Sequence, residues 1–479
     1  MSIDRREFMR RTGAGALAAA AGASVAGETP GARAARPNVV FVFADQWRAQ
    51  ATGYAGDPNV QTPHLDRLRA ESADLVNAVS TCPVCSPYRG SLLTGQYALT
   101  HGVFMNDVAL RDEATSIAEA YKAADYDTAY IGKWHLDGRG RSNFIPRERR
   151  QGFDYWKVLE CTHNYNQSPY YADGPEKLFW DGYDAIAQTR DAQQYLRDRA
   201  GDRPFLLMLS WGPPHKPYET APEEFRRIYD PDALVLRENV PDDAAAWARR
   251  DLAGYYAHCS ALDACVGDLL RTLDETGLAE NTVFVFTSDH GDMLGSQGQM
   301  RKQRPYDESI RVPFLLRYPE ALGRAGRVIA KPFGTPDIMP TLLGLCDVPI
   351  PAGVEGADYA PLLRGEASDS DGAALIACYA PFGEWTRQGG GREYRGIRTR
   401  RHTYVRDLHG PWLLYDNESD PFQKNNLAGA PEARSIQDEL DAMLREILRE
   451  RDDAFLHGDR YIQQWGYPTD ETGTVPYTP

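Results

Sequence analysis

Asn38-Val39-Val40-Phe41-Val42-Phe43-Ala44 is an uninterrupted apolar, β-branched run closed by the polar pair Asp45-Gln46. A strand with one wet face alternates in polarity, whereas this run predicts a strand covered on both faces. Similar runs recur at Ala129-Tyr130-Ile131, from Pro204 to Leu209, from Thr282 to Phe286 and from Val312 to Leu316. Helical patterns lie between them: Thr62 capping Pro63 to Leu75, then Ala114 to Ala124, Tyr183 to Arg199, Asp242 to Glu275 and Pro336 to Cys346. This alternation predicts an α/β fold with a doubly wound sheet. Polar residues follow the first four strands: Asp45-Gln46, Gly132-Lys133-Trp134-His135, Trp211 to His215, and Asp289-His290. Ligands of such sheets bind beyond the carboxyl ends of the strands, so these residues are expected to meet in one crevice.

From about Pro361 the texture changes to short segments. Tyr394 to Arg406 alternates, Pro411 to Asp416 follows a tight turn at Asp407-Leu408-His409-Gly410, and Arg434 to Phe455 is amphipathic. A smaller C-terminal antiparallel sheet plus helix is expected there, with an irregular Tyr-, Gly-, Pro- and Thr-rich tail from Gly458. The expected organisation is an N-terminal segment and linker over 1–36, a large α/β domain over 37–360 and a C-terminal α+β subdomain and tail over 361–479.

The 479 residues are 42% hydrophobic and 25% charged, which excludes wholesale disorder and leaves enough apolar surface for a large core. Lys+Arg 53 against Asp+Glu 68 gives −15, without the global basic field that nonspecific nucleic-acid binding requires. An anionic ligand must therefore meet a local basic pocket. Seven Cys without a repeated spacing are no disulfide framework. Arg5-Arg6-Glu7-Phe8-Met9-Arg10-Arg11, followed by an Ala/Gly-rich stretch from Gly13 to Ala26, is similar to a bacterial twin-arginine export signal. The stretch is too short for a stable membrane anchor. That resemblance implies passage through the twin-arginine (Tat) machinery to the periplasm or beyond. A solvated basic start before a helix is the alternative.

Cys82-Pro83-Val84-Cys85-Ser86-Pro87-Tyr88-Arg89 is the densest chemical signal. A Cys-x-x-Cys redox or zinc element is one reading, but no second pair has matching spacing. A buried structural Cys in a Pro-bent turn is another. Neither accounts for Pro and Arg at +2 and +4 from Cys85, or for Leu93-Thr94-Gly95. Together these residues resemble the signature of the formylglycine-dependent sulfatases of the alkaline-phosphatase-like superfamily, here with Tyr88 where Ser is usual. The resemblance extends from Asn38 to about Leu427 through Thr100-His101-Gly102, the Gly-Lys-Trp-His block, Pro213-Pro214-His215, Ser288-Asp289-His290-Gly291-Asp292, Arg311-Val312-Pro313 and Leu414-Tyr415-Asp416.

Such a resemblance implies a large mixed sheet of alkaline-phosphatase type and a Cys85 oxidised to formylglycine by a generating enzyme. One hydroxyl of the hydrated aldehyde would attack sulfur, and deprotonating the other would release sulfate. By residue-by-residue carry-over, Asp45, Gln46, Asp289 and His290 beside Cys85 hold a metal. Ca²⁺ is expected ahead of Mn²⁺ or Mg²⁺. Arg89 holds the diol, Lys133 contacts diol and sulfate, His135 takes the proton that breaks the adduct, and His215 and Lys302 face the leaving oxygen. Lys302 competes with its basic neighbours in Met300-Arg301-Lys302-Gln303-Arg304, which also reads as a solvated loop.

Substrate contacts are expected from His101 and Asn106, although His101 also suits a structural role. The non-periodic stretch from Cys161 to Tyr183, with His163 and Tyr165, and the later Trp385 suit a sugar ring, or else loop packing. The expected substrate is a sulfated carbohydrate, with an aryl sulfate as the simpler case. Two other readings stay open: a phosphodiester or phosphonate monoester hydrolase of the same superfamily, and a catalytically silent glycan-binding protein.

Overall fold

The computed structural model describes residues 36–199 and 203–478; the twin-arginine segment lies outside the described residues. Eight strands build the main sheet: β1 (Asn38–Asp45), β2 (Ala73–Leu75), β3 (Asp127–Lys133), β4 (Tyr155–Leu159), β5 (Phe205–Pro214), β6 (Thr282–Ser288), β7 (Phe314–Arg317) and β8 (Arg327–Ile329). Their spatial order is β8-β2-β7-β6-β1-β5-β3-β4. β1 lies parallel between β5 and β6, β3 parallel between β5 and β4, and β7 runs antiparallel to both β6 and β2.

The unbroken apolar run of β1 follows from this central place. Val39, Phe41 and Phe43 enter one core with Tyr88, Leu92, Ile117 and Leu342. Val40, Val42 and Ala44 enter the opposite core with Leu196, Leu262 and Leu269. All six β1 side chains are shut from water, and the helices that cover them are α1 (Pro63–Ala70), α2 (Cys85–Thr94), α3 (Ile117–Ala123), α4 (Asp184–Asp198), α5 (Asp242–Glu275) and α6 (Ile338–Leu345).

Several expectations need correction. The helix expected over Pro63 to Leu75 stops at Ala70, because Ala73 and Asp74 pair with β7 as β2. Thr62 does not cap it through its side chain; its Oγ1 accepts from Gly53 N at 2.7 Å instead. The helix expected from Ala114 starts at Ile117, where Ser116 and Glu119 close a capping box.

Ala373–Cys378 (β9), Tyr394–Thr399 (β10), His402–Asp407 (β11) and Gly410–Asp416 (β12) form a second, wholly antiparallel sheet in chain order. The alternating stretch from Tyr394 to Arg406 is thus two strands of a hairpin. Helix α7 (Arg434–Glu450) ends short of the expected Phe455 and lays Leu440, Leu444 and Leu448 on Leu375, Ile397 and Tyr404. Asp307 ties this sheet to the main body through Arg398 of β10 at 3.2 Å and Arg311 at 3.2 Å. The tail is not wholly irregular: it forms α8 (Gly458–Trp465) before it returns to Arg141, whose N–H donates to Thr478 O at 2.8 Å. Among the described residues no helix is long and apolar enough to cross a membrane.

Candidate active site

The parallel strands β3, β5, β1 and β6 deliver their carboxyl ends side by side, with Gly132 opposite Ser210, Asp45 opposite Pro214, and Ala44 opposite Ser288. Chain reversals beyond these ends put Gln46 at φ 77° and His135 at φ 59°, in the left-handed region that non-glycine residues seldom occupy. Local bonds hold both. Gln46 N donates to Asp289 Oδ1 at 2.9 Å. Past His135, the buried Glu160 carboxylate accepts from the N–H groups of Leu136, Asp137 and Gly138 at 3.2, 2.8 and 3.1 Å.

Cys85 begins α2, a helix buried along its whole length, so the thiol is fixed at a helix N-terminus. Its Sγ lies 3.3 Å from His290 Nε2, 3.4 Å from Lys302 Nζ and 3.6 Å from Asp45 Oδ1. Burial and Asp45 push this thiol up, but Lys133, Lys302 and His290 outweigh them and hold it well below the usual range. At Cys82 burial outweighs the opposing charge of Arg395 and pushes the thiol up to about 12.

Asp45, Cys85, Asp289 and His290 each bring one ligand atom into a cluster in which all lie within 4.8 Å of one another. His290 Nδ1 donates to Gly291 O at 2.9 Å, which leaves the Nε2 lone pair for the cluster. Gln46 is fixed alongside: its Nε2 donates to Asp292 Oδ2 at 2.6 Å and its Oε1 accepts from Lys302 Nζ at 3.0 Å. Burial raises Asp45, but Lys133 above all keeps it ionised, well below the usual carboxylate range. Asp289 takes the other course, pushed up to about 7 by burial and by the charge on Asp45. Two buried carboxylates in mutual opposition, one imidazole and one amide oxygen suit a divalent cation, whose charge would relieve that opposition.

The basic residues are less exclusively directed at Cys85 than expected. Arg89 donates from Nη2 to Asp45 Oδ2 at 3.4 Å and Asp289 Oδ2 at 3.3 Å, and from Nη1 to Lys133 O and Ser210 Oγ, both at 2.7 Å. Lys133 Nζ meets Asp45 Oδ2 at 2.6 Å. Both therefore hold the acidic cluster by ion pairs.

Above Cys85 opens a cavity of about 370 Å³ whose lining includes Asn106, Lys133, His135, His163, His215 and Lys302. His215 Nδ1 donates to Lys216 O at 2.8 Å, and its ring stacks on His163 with centroids 4.6 Å apart. Burial, then Lys302, holds His215 well below the ordinary imidazole range. His135 is opposite in sign: burial lowers it, but Cys161 and Asp107 raise it to about 9. Its Nε2 donates to Asp107 Oδ1 at 3.2 Å, while the buried Nδ1 has no partner among the described residues.

Three expected substrate residues stand elsewhere. His101 is engaged at both ring nitrogens, by Ser91 Oγ at 3.0 Å and by Val103 N at 3.1 Å, and packs so closely on Gly90 that a Cβ there would meet its Cε1 at 2.5 Å. Tyr165 is buried against Gly212, with its hydroxyl on Lys216 O at 3.3 Å. Trp385 lines a neighbouring cavity instead. Sequence reasoning also passed over Asp107, which Arg141 holds in a two-pronged ion pair at 2.9 and 2.8 Å. It likewise passed over Asp292, whose only signal was its place in the Ser288–Asp292 block, and Cys161, a cavity-lining thiol that burial raises but Lys133, His135 and His163 bring down to about 5. Thr474 and Tyr477 of the tail complete the wall.

The Sulfatase family model matches residues 37–348, and the model of the N-sulphoglucosamine sulphohydrolase C-terminal region matches residues 295–450. An ulvan-active sulfatase of Formosa agariphila is 48% identical over 438 residues, covering 90% of this chain and 85% of that protein. An endo-4-O-sulfatase of Bacteroides thetaiotaomicron is 33% identical, over 88% of this chain and 93% of its own length. A solved structure from work on glycosaminoglycan metabolism by Bacteroides thetaiotaomicron superposes with a TM-score of 0.80 at 31% identity, covering 90% of this chain and 99% of that one.

Proposed function

The chain belongs to the sulfatase family and is a sulfuric ester hydrolase, and from that premise we propose that it removes sulfate esters from a sulfated carbohydrate through a formylglycine formed at Cys85. The observation that carries this reading is the environment of Cys85: a helix-start thiol at the floor of a cavity, with Lys302 and His290 within 3.4 Å of Sγ. The relatives that act on ulvan and at a 4-O-sulfate support a carbohydrate as the substrate class.

Formylglycine at residue 85 would supply a hydrated aldehyde, one hydroxyl as nucleophile and the other as the means of release. Asp45, Gln46, Asp289 and His290 would hold a divalent cation, Ca²⁺ ahead of Mn²⁺ or Mg²⁺, which would screen the charge of the sulfate ester. The remaining work falls to side chains around the cavity. Arg89 aligns Asp45 and Asp289 by bridging the two carboxylates. Lys133 and Lys302 surround the sulfate oxygens with positive charge that is fixed before the substrate arrives. Asn106 is held by Ser86 N, which donates to its Oδ1 at 3.0 Å, leaving its amide N–H groups for the substrate.

His215 is neutral while the cavity is empty, because burial disfavours its charge and Lys302 beside it adds to that cost. An anionic ester entering between them offsets that cost, and the pair then supplies the proton to the departing oxygen. His135, steadied by Asp107 and charged in the empty cavity, must first lose its own proton before it can take the one whose loss frees sulfate. The twin-arginine start supports export of the folded, matured enzyme to the bacterial periplasm or beyond.

Sulfate release from a panel of sulfated oligosaccharides, beside 4-nitrophenyl sulfate and matched phosphate mono- and diesters, tests the reading. Sulfate esters are expected to turn over faster by orders of magnitude. A higher kcat/KM on phosphate or phosphonate esters would favour the phosphorus-ester hydrolases of the same superfamily.

A further inference from the structure

Next to the catalytic cavity lies a larger one of about 630 Å³, and both have Lys216 and Glu384 in their walls. Lys216 Nζ and Glu384 Oε1 pair at 2.7 Å, so the partition between the two spaces is one ion pair thick. The second space is one-sided in charge: Lys216, Arg301, Arg304 and Arg392 line it against the single carboxylate of Glu384. In a chain of net charge −15, four cations lining one cavity, two of them partly offset by Asp292 and Asp407 outside its lining, make a local anion site against the global field. Glu384 cannot neutralise them all. It is already shared between Lys216 and Arg301, the latter at 3.5 Å.

Aromatic walls accompany the charge. Arg304 lies over the Trp385 ring at 5.3 Å and Arg392 over the Trp412 ring at 4.7 Å, and both indoles face the same cavity. Arg304 spends its donors on Gln299 Oε1, Lys302 O and Glu384 O, so it belongs to the frame. Arg392 differs: it gives Nη1 to Asp407 Oδ2 at 2.9 Å, and its side chain is 49% exposed, which leaves the rest of its fork open. An indole beside an open guanidinium fits a sugar ring that carries an anionic group, with C–H groups against the aromatic and oxygens on the fork.

We propose that this cavity binds an anionic sugar residue, carrying a carboxylate or a second sulfate, adjacent to the residue that loses its sulfate. The inference rests on the carbohydrate sulfatase reading and deepens it, because it makes the substrate a polyanionic oligosaccharide rather than a single sulfated sugar. Arg392 is the specificity-determining contact, and Glu384 at the partition accepts hydrogen bonds from ring hydroxyls that flank the glycosidic linkage.

The test uses inhibition of 4-nitrophenyl sulfate hydrolysis by a sulfated, uronate-containing tetrasaccharide, by the same molecule with carboxylates reduced to alcohols, and by its partly desulfated form. The intact ligand is expected to bind about tenfold more tightly than whichever form lacks the recognised anion, the scale of one charge-assisted hydrogen bond at a partly exposed site. In Arg392→Gln that difference should vanish while hydrolysis of 4-nitrophenyl sulfate itself is unchanged. If loss of the Asp407 pair prevents that variant from folding, Trp412→Leu serves in its place. Equal inhibition by all three ligands, or a difference that survives in the variant, would overturn the subsite. Absence of any sulfatase activity in the unaltered protein would instead overturn the function on which it rests.

Discussion

Sγ of Cys85 and Nε2 of His290 lie 3.3 Å apart although 205 positions separate them in the chain. The contact joins the start of α2 to the end of β6, so the candidate formylglycine position and a candidate metal ligand are both carried by elements buried along their whole length. Everything else at the site is arranged around that contact, and the consequences can be measured.

The first concerns the cation. Asp45 and Asp289 are both 0% exposed and oppose each other, and Arg89 and Lys133 offset the repulsion only in part. Chelation is expected to abolish activity and to lower the thermal midpoint, with Ca²⁺ restoring both. Asp289→Ala should be inactive at any Ca²⁺ concentration. Full activity in that variant would remove Asp289 from the site.

The two histidines separate by leaving group. His215→Ala is expected to lower kcat on an alkyl or sugar sulfate by roughly 10²–10⁴-fold, the usual scale of general acid catalysis, and to affect an activated aryl sulfate much less. His135→Ala should slow both substrates alike, with one fast turnover before the slow phase. Asp107→Asn, which leaves His135 in place without its anionic partner, should show a milder form of the His135→Ala pattern. A leaving-group dependence seen in the His135 variant and absent from the His215 variant would mean that the roles are exchanged.

Legibility of the site in the sequence depended on distance along the chain. Asp45 and Asp289 could be read because each closes an apolar strand, and parallel strands bring their ends together by rule. Asp107, Arg141 and Tyr477 could not, because three separate loops meet only after folding: Arg141 pairs with Asp107 and stacks over Tyr477 at 3.5 Å. His101 carried a family-like position but sits where Gly90 lets the helix approach it, which no local pattern announces. In the fold, Ala73–Leu75 continued the helical periodicity of α1 and was claimed for that helix, whereas pairing with β7 on one side and β8 on the other decides it. β4 had no two-sided apolar run to mark it, whereas the apolar run Ala373–Cys378 of β9 was passed over.

A further prediction concerns the tie between the two sheets. Asp307 and Arg398 are 3% exposed each, and burial would raise the Asp307 carboxyl, yet Arg398 and Arg311 hold it below its usual value. With the folded value depressed, the stabilisation is present above the unfolded carboxylate range and is lost as pH falls through the folded value. Asp307→Asn is expected to cost roughly 3–5 kcal/mol in chemical unfolding near neutral pH, the scale for breaking a buried pair. The gap from the unaltered protein should narrow as pH is lowered from 7 toward 3. A gap that stays constant over that range would mean that the ion pair is not its source.

The most direct test of the whole account is mass spectrometry of the peptide spanning residues 82–89, made on the same preparation whose sulfatase activity is assayed. Active protein should carry an aldehyde at Cys85 and an unmodified thiol at Cys82, with specific activity proportional to the aldehyde fraction. Cys85→Ala should be inactive. Full activity from protein in which Cys85 is still a thiol would contradict the account.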